Sequence, residues 1–121
     1  MKAKLTLPLP PSVNNYYGHH CKFRSAAVYI KPKGKTYRRQ VLDYVIRNNY
    51  QFQANIPLSI TIKINPSSKR KWDLDNRLKS LLDALTHAKV WEDDSLIYKL
   101  TVEKGEVIKD GKTTIEIEKY E

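Results

Sequence analysis

The residue types best suited to chemistry lie in one run, Lys69-Arg70-Lys71-Trp72-Asp73-Leu74-Asp75-Asn76-Arg77-Leu78-Lys79. A basic cluster leads into two aspartates spaced i, i+2, and a helix-like pattern starts behind them. Lys79 follows Asp75 by four residues, so a helix beginning near Asp75 sets the ammonium one turn along on the same face. Two neighbouring carboxylates among cations make a seat for a hard divalent ion that must meet a phosphate. The plainer alternative is an aspartate N-cap followed by an Asp/Lys helix pair. Spacing alone leaves both open.

Charge narrows the choice. Residues 1–71 carry 14 Lys/Arg against Asp43 alone, a balance of +13, whereas residues 72–121 carry 8 Lys/Arg against 12 acids, a balance of −4. One half attracts a polyanion and the other concentrates carboxylates. Nucleic acid is the natural polyanion, because phosphate contacts by Lys and Arg dominate such binding. Lys69, Arg70 and Lys71 abut the acidic pair and are expected phosphate contacts beside it.

The 121 residues, 40% of them hydrophobic, suit one domain spanning 1–121 with a modest core. No apolar window of about 18 residues exists, so no membrane span is expected. The N-terminus lacks a signal peptide's apolar block, and Cys21 is the single cysteine. Both point to the cytoplasm.

The elements that must position the run read as follows. Lys2 to Leu9 alternates with period two as a strand, ended by Pro8, Pro10 and Pro11. Ser12 to Ser25 reads as a loop. Its His19-His20-Cys21 run departs from metal-ligand spacing, while Tyr16 and Tyr17 are expected to be exposed aromatics able to stack on opened bases. Lys35 to about Asn49 fits a helix through Tyr37, Val41, Tyr44 and Val45, after Pro32 and Gly34 punctuate its entry. Ile56 to Ile64 alternates as a strand, and Leu74, Leu78, Leu81, Leu82 and Leu85 recur at helical spacing to about Lys89. Asp75, Lys79 and Asp83 share the opposite face. An acidic turn, Glu92-Asp93-Asp94, follows Trp91. Leu96 to Val107 then reads as a strand, with Lys109-Asp110-Gly111-Lys112 a hairpin turn into a return strand, Thr113 to Lys119. The order is β-α-β-α-β-β, an α/β (mixed α+β) domain around one mixed sheet. Trp72 and Trp91 are expected in the core.

A helix of about 15 residues spans about 22 Å. Asp94 therefore meets Asp75 only if the chain doubles back or a second subunit supplies a carboxylate.

Asp73-Leu-Asp75-Asn76-x-x-Lys79, followed by Asp83-Ala-Leu and Trp91-Glu-Asp-Asp94, resembles the pattern of the RusA family of Holliday junction resolvases. Upstream, Pro10-Pro11-Ser12-x-Asn14 resembles the family's N-terminal motif, and Gly34-Lys-x-Tyr37-Arg38 the start of its first helix. Glu92 before the acidic pair and the detail of Val13 to Tyr17 depart from the pattern. The resemblance implies a Mg²⁺-dependent endonuclease (Mn²⁺ a possible substitute) acting on four-way branched DNA as an intertwined homodimer, with no organic cofactor. It further implies that Asp73, Asp75 and Asp94 are catalytic metal ligands and Lys79 a catalytic cation, with Asn76 and Asp93 secondary. Asn14, Tyr16, Tyr17, Lys35 and Arg38 join Lys69, Arg70 and Lys71 as implied DNA contacts.

Such an ion polarises the scissile phosphate, and Lys79 would offset charge developing there. If Lys79 instead formed an exposed helix salt bridge with Asp75 or Asp83, that pair would contribute only about 0.3–0.5 kcal/mol. Two other functions fit the same residues. One is a non-catalytic nucleic-acid-binding module whose carboxylates only cap and pair; the other is a nuclease for flaps or other branched DNA.

Overall fold

The computed structural model describes residues 2–22, 25–52 and 54–121. Its elements are β1 (Lys2–Leu7), α1 (Val13–Tyr16), β2 (Tyr17–Lys22), β3 (Ser25–Ile30), α2 (Pro32–Arg47), β4 (Leu58–Asn65), α3 (Asp75–His87), β5 (Ile97–Lys104) and β6 (Lys112–Lys119). Asp94–Leu96 form a 3₁₀ turn ahead of β5.

The alternation of Leu58, Ile60, Ile62 and Ile64 makes β4 the centre of a four-stranded sheet ordered β1-β6-β4-β5. These four side chains are buried, together with Leu5, Leu7, Ile115 and Ile117 from β1 and β6. Val41 and Val45 of α2 and Leu81 and Leu85 of α3 complete the same cluster. Lys4, Thr61, Lys63, Glu103, Thr114 and Glu116 line the sheet's open face. The fold is thus a mixed α/β arrangement with helices on one side.

Three expectations change. The segment expected to be a loop holds α1 and then a two-stranded antiparallel ribbon, β2 with β3, separate from the main sheet. Its glycine, histidines and asparagines masked a short strand pair, whose stability comes from pairing more than from strand propensity. The side chains of His20 and Cys21 lie outside what is described.

Second, β5 and β6 do not form a hairpin. Both flank β4, with β5 parallel and β6 antiparallel to it. They therefore stand two strand spacings apart, about 9.6 Å, which a two-residue turn cannot bridge. The connection instead wraps the end of β4. The Gly105 N–H donates to the Ile64 carbonyl at 2.8 Å, and the Ile108 N–H to the Pro66 carbonyl at 2.9 Å. Asp110 and Gly111 do have the positive φ values of a tight turn, 67° and 73°. Turn chemistry set the local backbone, not the pairing. The parallel β4–β5 pair requires a crossover, and α3 supplies it.

Third, α2 begins at Pro32, three residues before the expected start, with proline in its first turn where a missing N–H costs nothing. Gly34 thereby lies inside the helix. A Cβ there would come within 2.7 Å of the Tyr16 carbonyl oxygen and of Ile30 Cγ2, so glycine allows α2 to press against the end of α1.

Candidate active site

The proline-rich segment after β1 ties the N-terminus to α2 and α3. Its carbonyls accept hydrogen bonds from helix side chains: Tyr37 Oη to Pro8 at 3.0 Å, Arg77 Nη1 to Pro10 at 2.5 Å and Ser80 Oγ to Pro11 at 2.6 Å. This fixes Ser12 and α1 beside α3, the helix that carries the acidic run.

Asp73 lies just before α3 and Asp75 is its first residue; both are exposed. The N-cap position is Leu74, and no side chain caps the helix. The capping alternative is therefore not realised, and the Asp75 carboxylate stands free at the positive end of the helix dipole. The preceding loop is pinned from β5: Lys104 Nζ donates to the Trp72 carbonyl at 2.6 Å and sits 4.7 Å from the centre of the Trp72 ring. One cleft brings Arg70, Lys71, Asp73 and Asn76 together, with Pro66 and Trp72 also lining it. Lys69 is exposed on the same loop.

A second recess lies further along α3, lined by Tyr17, Lys79, Leu82, Asp83, Thr86 and Asp94. The chain does double back. After α3 ends, Trp91 is fully buried, its indole N–H donates to Thr86 Oγ1 at 2.7 Å, and the 3₁₀ turn returns along the helix. Asp94 thus lines one recess with Lys79 and Asp83 of α3. Asp93 accepts a hydrogen bond from Ser95 at 2.8 Å, which holds its carboxyl below the usual range. Desolvation, then the neighbouring Asp93, pushes the Asp94 carboxyl up.

Lys79 forms no ion pair among the described residues; its ammonium lies 5.0 Å from the centre of the Tyr17 ring. The salt bridge expected as the plain alternative is replaced by another. Arg38 Nη2 meets Asp83 Oδ2 at 2.6 Å, with the two side chains 25% and 32% exposed. Arg38 Nε donates to the same oxygen at 3.1 Å and to Tyr16 Oη at 2.7 Å, while the Tyr16 hydroxyl donates to Asp83 Oδ2. Burial, then the bond to Asp83, drives the Tyr16 hydroxyl well above a phenol's ordinary range. Burial likewise pushes Tyr17 up to about 12, with Asp83 adding to it.

Tyr16 corrects the expectation of an exposed ring. It is 0% exposed, held between α2 and α3 by its hydroxyl, and cannot stack on a base in this arrangement. Tyr17 is half-buried. Asn14 and Lys35 are exposed, and the Asn14 carbonyl accepts from Lys31 Nζ at 2.7 Å. Arg38 is engaged with Asp83. Asp83 itself was not singled out as a site residue, although its i+8 spacing from Asp75 on one face was the available pointer.

No group of three His, Cys, Asp or Glu side chains close enough to hold a metal occurs among the described residues. Asp73 lines the first cleft and Asp94 the second. Their hard oxygen donors nonetheless suit Mg²⁺, which is commonly bound by one or two carboxylates plus waters and substrate phosphate.

A family model for the endodeoxyribonuclease RusA matches residues 8–118. The chain belongs to the RusA family. It is 34% identical over 113 residues to the crossover junction endodeoxyribonuclease of Enterobacteria phage 82, covering 93% of this chain and 91% of that one. The same measures hold for the Shigella sonnei protein of that name, and identity is 33% to the one from Escherichia coli K12. RusA membership makes the chain a hydrolase acting on DNA, and the α/β domain described above is the family's fold. Among the described residues, no helix is long and apolar enough to cross a membrane.

Proposed function

We propose that this RusA-family protein is a Mg²⁺-dependent, structure-specific endonuclease that resolves four-way DNA junctions in recombination and repair. The reading rests chiefly on one observation: exposed Asp73 and Asp75 at the start of α3 stand between a basic loop and an unpaired Lys79. Lys69, Arg70 and Lys71 contact phosphates beside the ion, with Arg70 or Lys71 nearest the cut strand. Asp73, Asp75 and Asp94 would hold the ion, supported by Asn76 and Asp93, with Asp94 brought across from the neighbouring recess when metal and phosphate bind. When bound, Mg²⁺ supplies Lewis acidity toward the phosphate and an acidified water. Lys79 offsets negative charge on the non-bridging or leaving oxygen. Asn14 and Lys35 approach the DNA arms, while Tyr17 lies under the Lys79 ammonium.

A four-way junction has approximate two-fold symmetry, so paired symmetric nicks call for two sites related by a two-fold axis. A homodimer provides them. Tyr98 and Leu100 on edge strand β5, with Tyr120 beside Tyr98, form an exposed apolar strip suited to a second copy. The enzyme works in the cytoplasm as one domain spanning 1–121.

The deciding experiment compares a synthetic four-way junction with linear duplex of the same sequence, in Mg²⁺ and in EDTA. Paired nicks on the junction alone, lost in EDTA, are expected. Binding without cutting in Mg²⁺ or Mn²⁺ would reduce the protein to a DNA-binding module, and equal cutting of duplex would discard junction specificity.

The basic loop has its own expected outcome. In Arg70→Gln/Lys71→Gln, the slope of log Kd against log salt falls by about one unit per charge removed. Titration of a labelled junction at several salt concentrations measures this; an unchanged slope would take the loop off the DNA.

A further inference from the structure

We infer that Asp83 is a positioning residue for Lys79, acting through Arg38, Tyr16 and Tyr17. The inference rests on the junction-nuclease reading, in which Lys79 meets the phosphate.

Lys79 and Asp83 are separated by one helical turn on one face of α3, a spacing that ordinarily lets an ammonium and a carboxylate pair. Here they do not. Arg38 claims Asp83 Oδ2 through Nε and Nη2, and the Tyr16 hydroxyl donates to the same oxygen. Asp83 is thereby neutralised from α2, and the carboxylate that would capture the Lys79 ammonium is withdrawn from it. The same three-way contact fixes Tyr16 at the end of α1. Tyr16 in turn sets Tyr17, the two ring centroids lying 4.5 Å apart, and the Lys79 ammonium rests over the Tyr17 ring. The chain of contacts leaves α3 at Asp83 and returns to it at Lys79.

Backbone packing supports the arrangement. Gly34 lets α2 close on the Tyr16 carbonyl, and the Lys31 N–H donates to that carbonyl at 2.8 Å. Tyr16 is thus held at both its main chain and its hydroxyl. The result is an ammonium kept unpaired over the Tyr17 ring in the recess it shares with Asp94, free to exchange a ring face for a phosphate oxygen. Such pre-orientation raises the rate of the chemical step without adding affinity for DNA.

The test measures single-turnover cleavage of a four-way junction at saturating protein, alongside junction Kd, for wild type, Tyr16→Phe, Asp83→Asn and the double variant. Each single change is expected to slow the saturated rate by about tenfold with Kd within about twofold. The double variant is expected to be no slower than the slower single, because both changes break one chain of contacts. A merely structural role would reduce the folded fraction and raise the apparent Kd while leaving the saturated rate intact. Unchanged saturated rates, losses confined to Kd, or multiplicative losses in the double variant would each overturn the inference. If Asp83→Asn does not fold, the saturated rate of Tyr16→Phe, which lacks only one hydroxyl, decides alone. A wild-type protein that nicks no junction in Mg²⁺ or Mn²⁺ would overturn the junction-nuclease reading, and this inference with it. A wild type that nicks while both variants match it overturns this inference only.

Discussion

Asp75→Asn is expected to reduce junction cleavage by about three orders of magnitude while leaving junction affinity equal or higher. The carboxylate is exposed on the first turn of α3 and caps nothing, so the substitution removes no contact that the fold uses. It does remove one negative charge from the surface the phosphate must approach, which favours binding. It also deletes an ionised oxygen donor from the proposed Mg²⁺ site, and a neutral amide is a poor substitute for it. Gel-shift titration and single-turnover cleavage on the same preparation separate the two effects. Loss of binding in a folded Asp75→Asn protein would count against a catalytic role for this carboxylate.

The largest stability effect is expected at Trp91. Its side chain is fully buried and its indole N–H reaches Thr86 on α3. Around it, the Val90 N–H donates to Leu85 and the Glu92 N–H to Ala54, so the turn after α3 is bound on both sides. Trp91→Ala should cost about 3–5 kcal/mol, a large share of the roughly 5–15 kcal/mol that holds a typical domain. Urea or thermal unfolding would measure it, and a loss below about 1 kcal/mol would show that the site collapses around the cavity. Because Asp94 lies three residues on, the variant should also lose cleavage in proportion to how far the turn loosens.

Much of this molecule is legible in its sequence. The alternation of Ile60, Ile62 and Ile64 and the leucine spacing of α3 are driven by burial against one core, and burial periodicity is what a sequence displays most directly. The acidic run, the basic loop and the Asp93–Asp94 turn were legible because their residue types are costly to place together without a partner. Pairing partners were not. Asp110-Gly111 specifies two positive φ values but not which strand lies next door, so β6 was assigned beside β5 and stands beyond β4. Tyr16 read as an exposed ring because its burial depends on Arg38 and Asp83, which are distant in the chain and meet it only through helix packing. The same long-range packing made Asp83 easy to pass over: on its own helix it looks like the partner of Lys79.

The sheet order has a consequence for how the protein comes into being. Among the described strands, β1 pairs only with β6, more than a hundred residues later, from Lys2 opposite Glu118 to Leu7 opposite Thr113. On a ribosome that adds about 5–20 residues per second, β1 waits without its hydrogen-bonding partner until β6 clears the exit tunnel. β4, too, has neither neighbour until the second half of the chain appears. Such non-local pairing slows folding and keeps the sheet open during synthesis. The sheet therefore closes late: neither β1 nor β4 is fully paired until β6 has been made, so the helices have no finished surface to pack against before then.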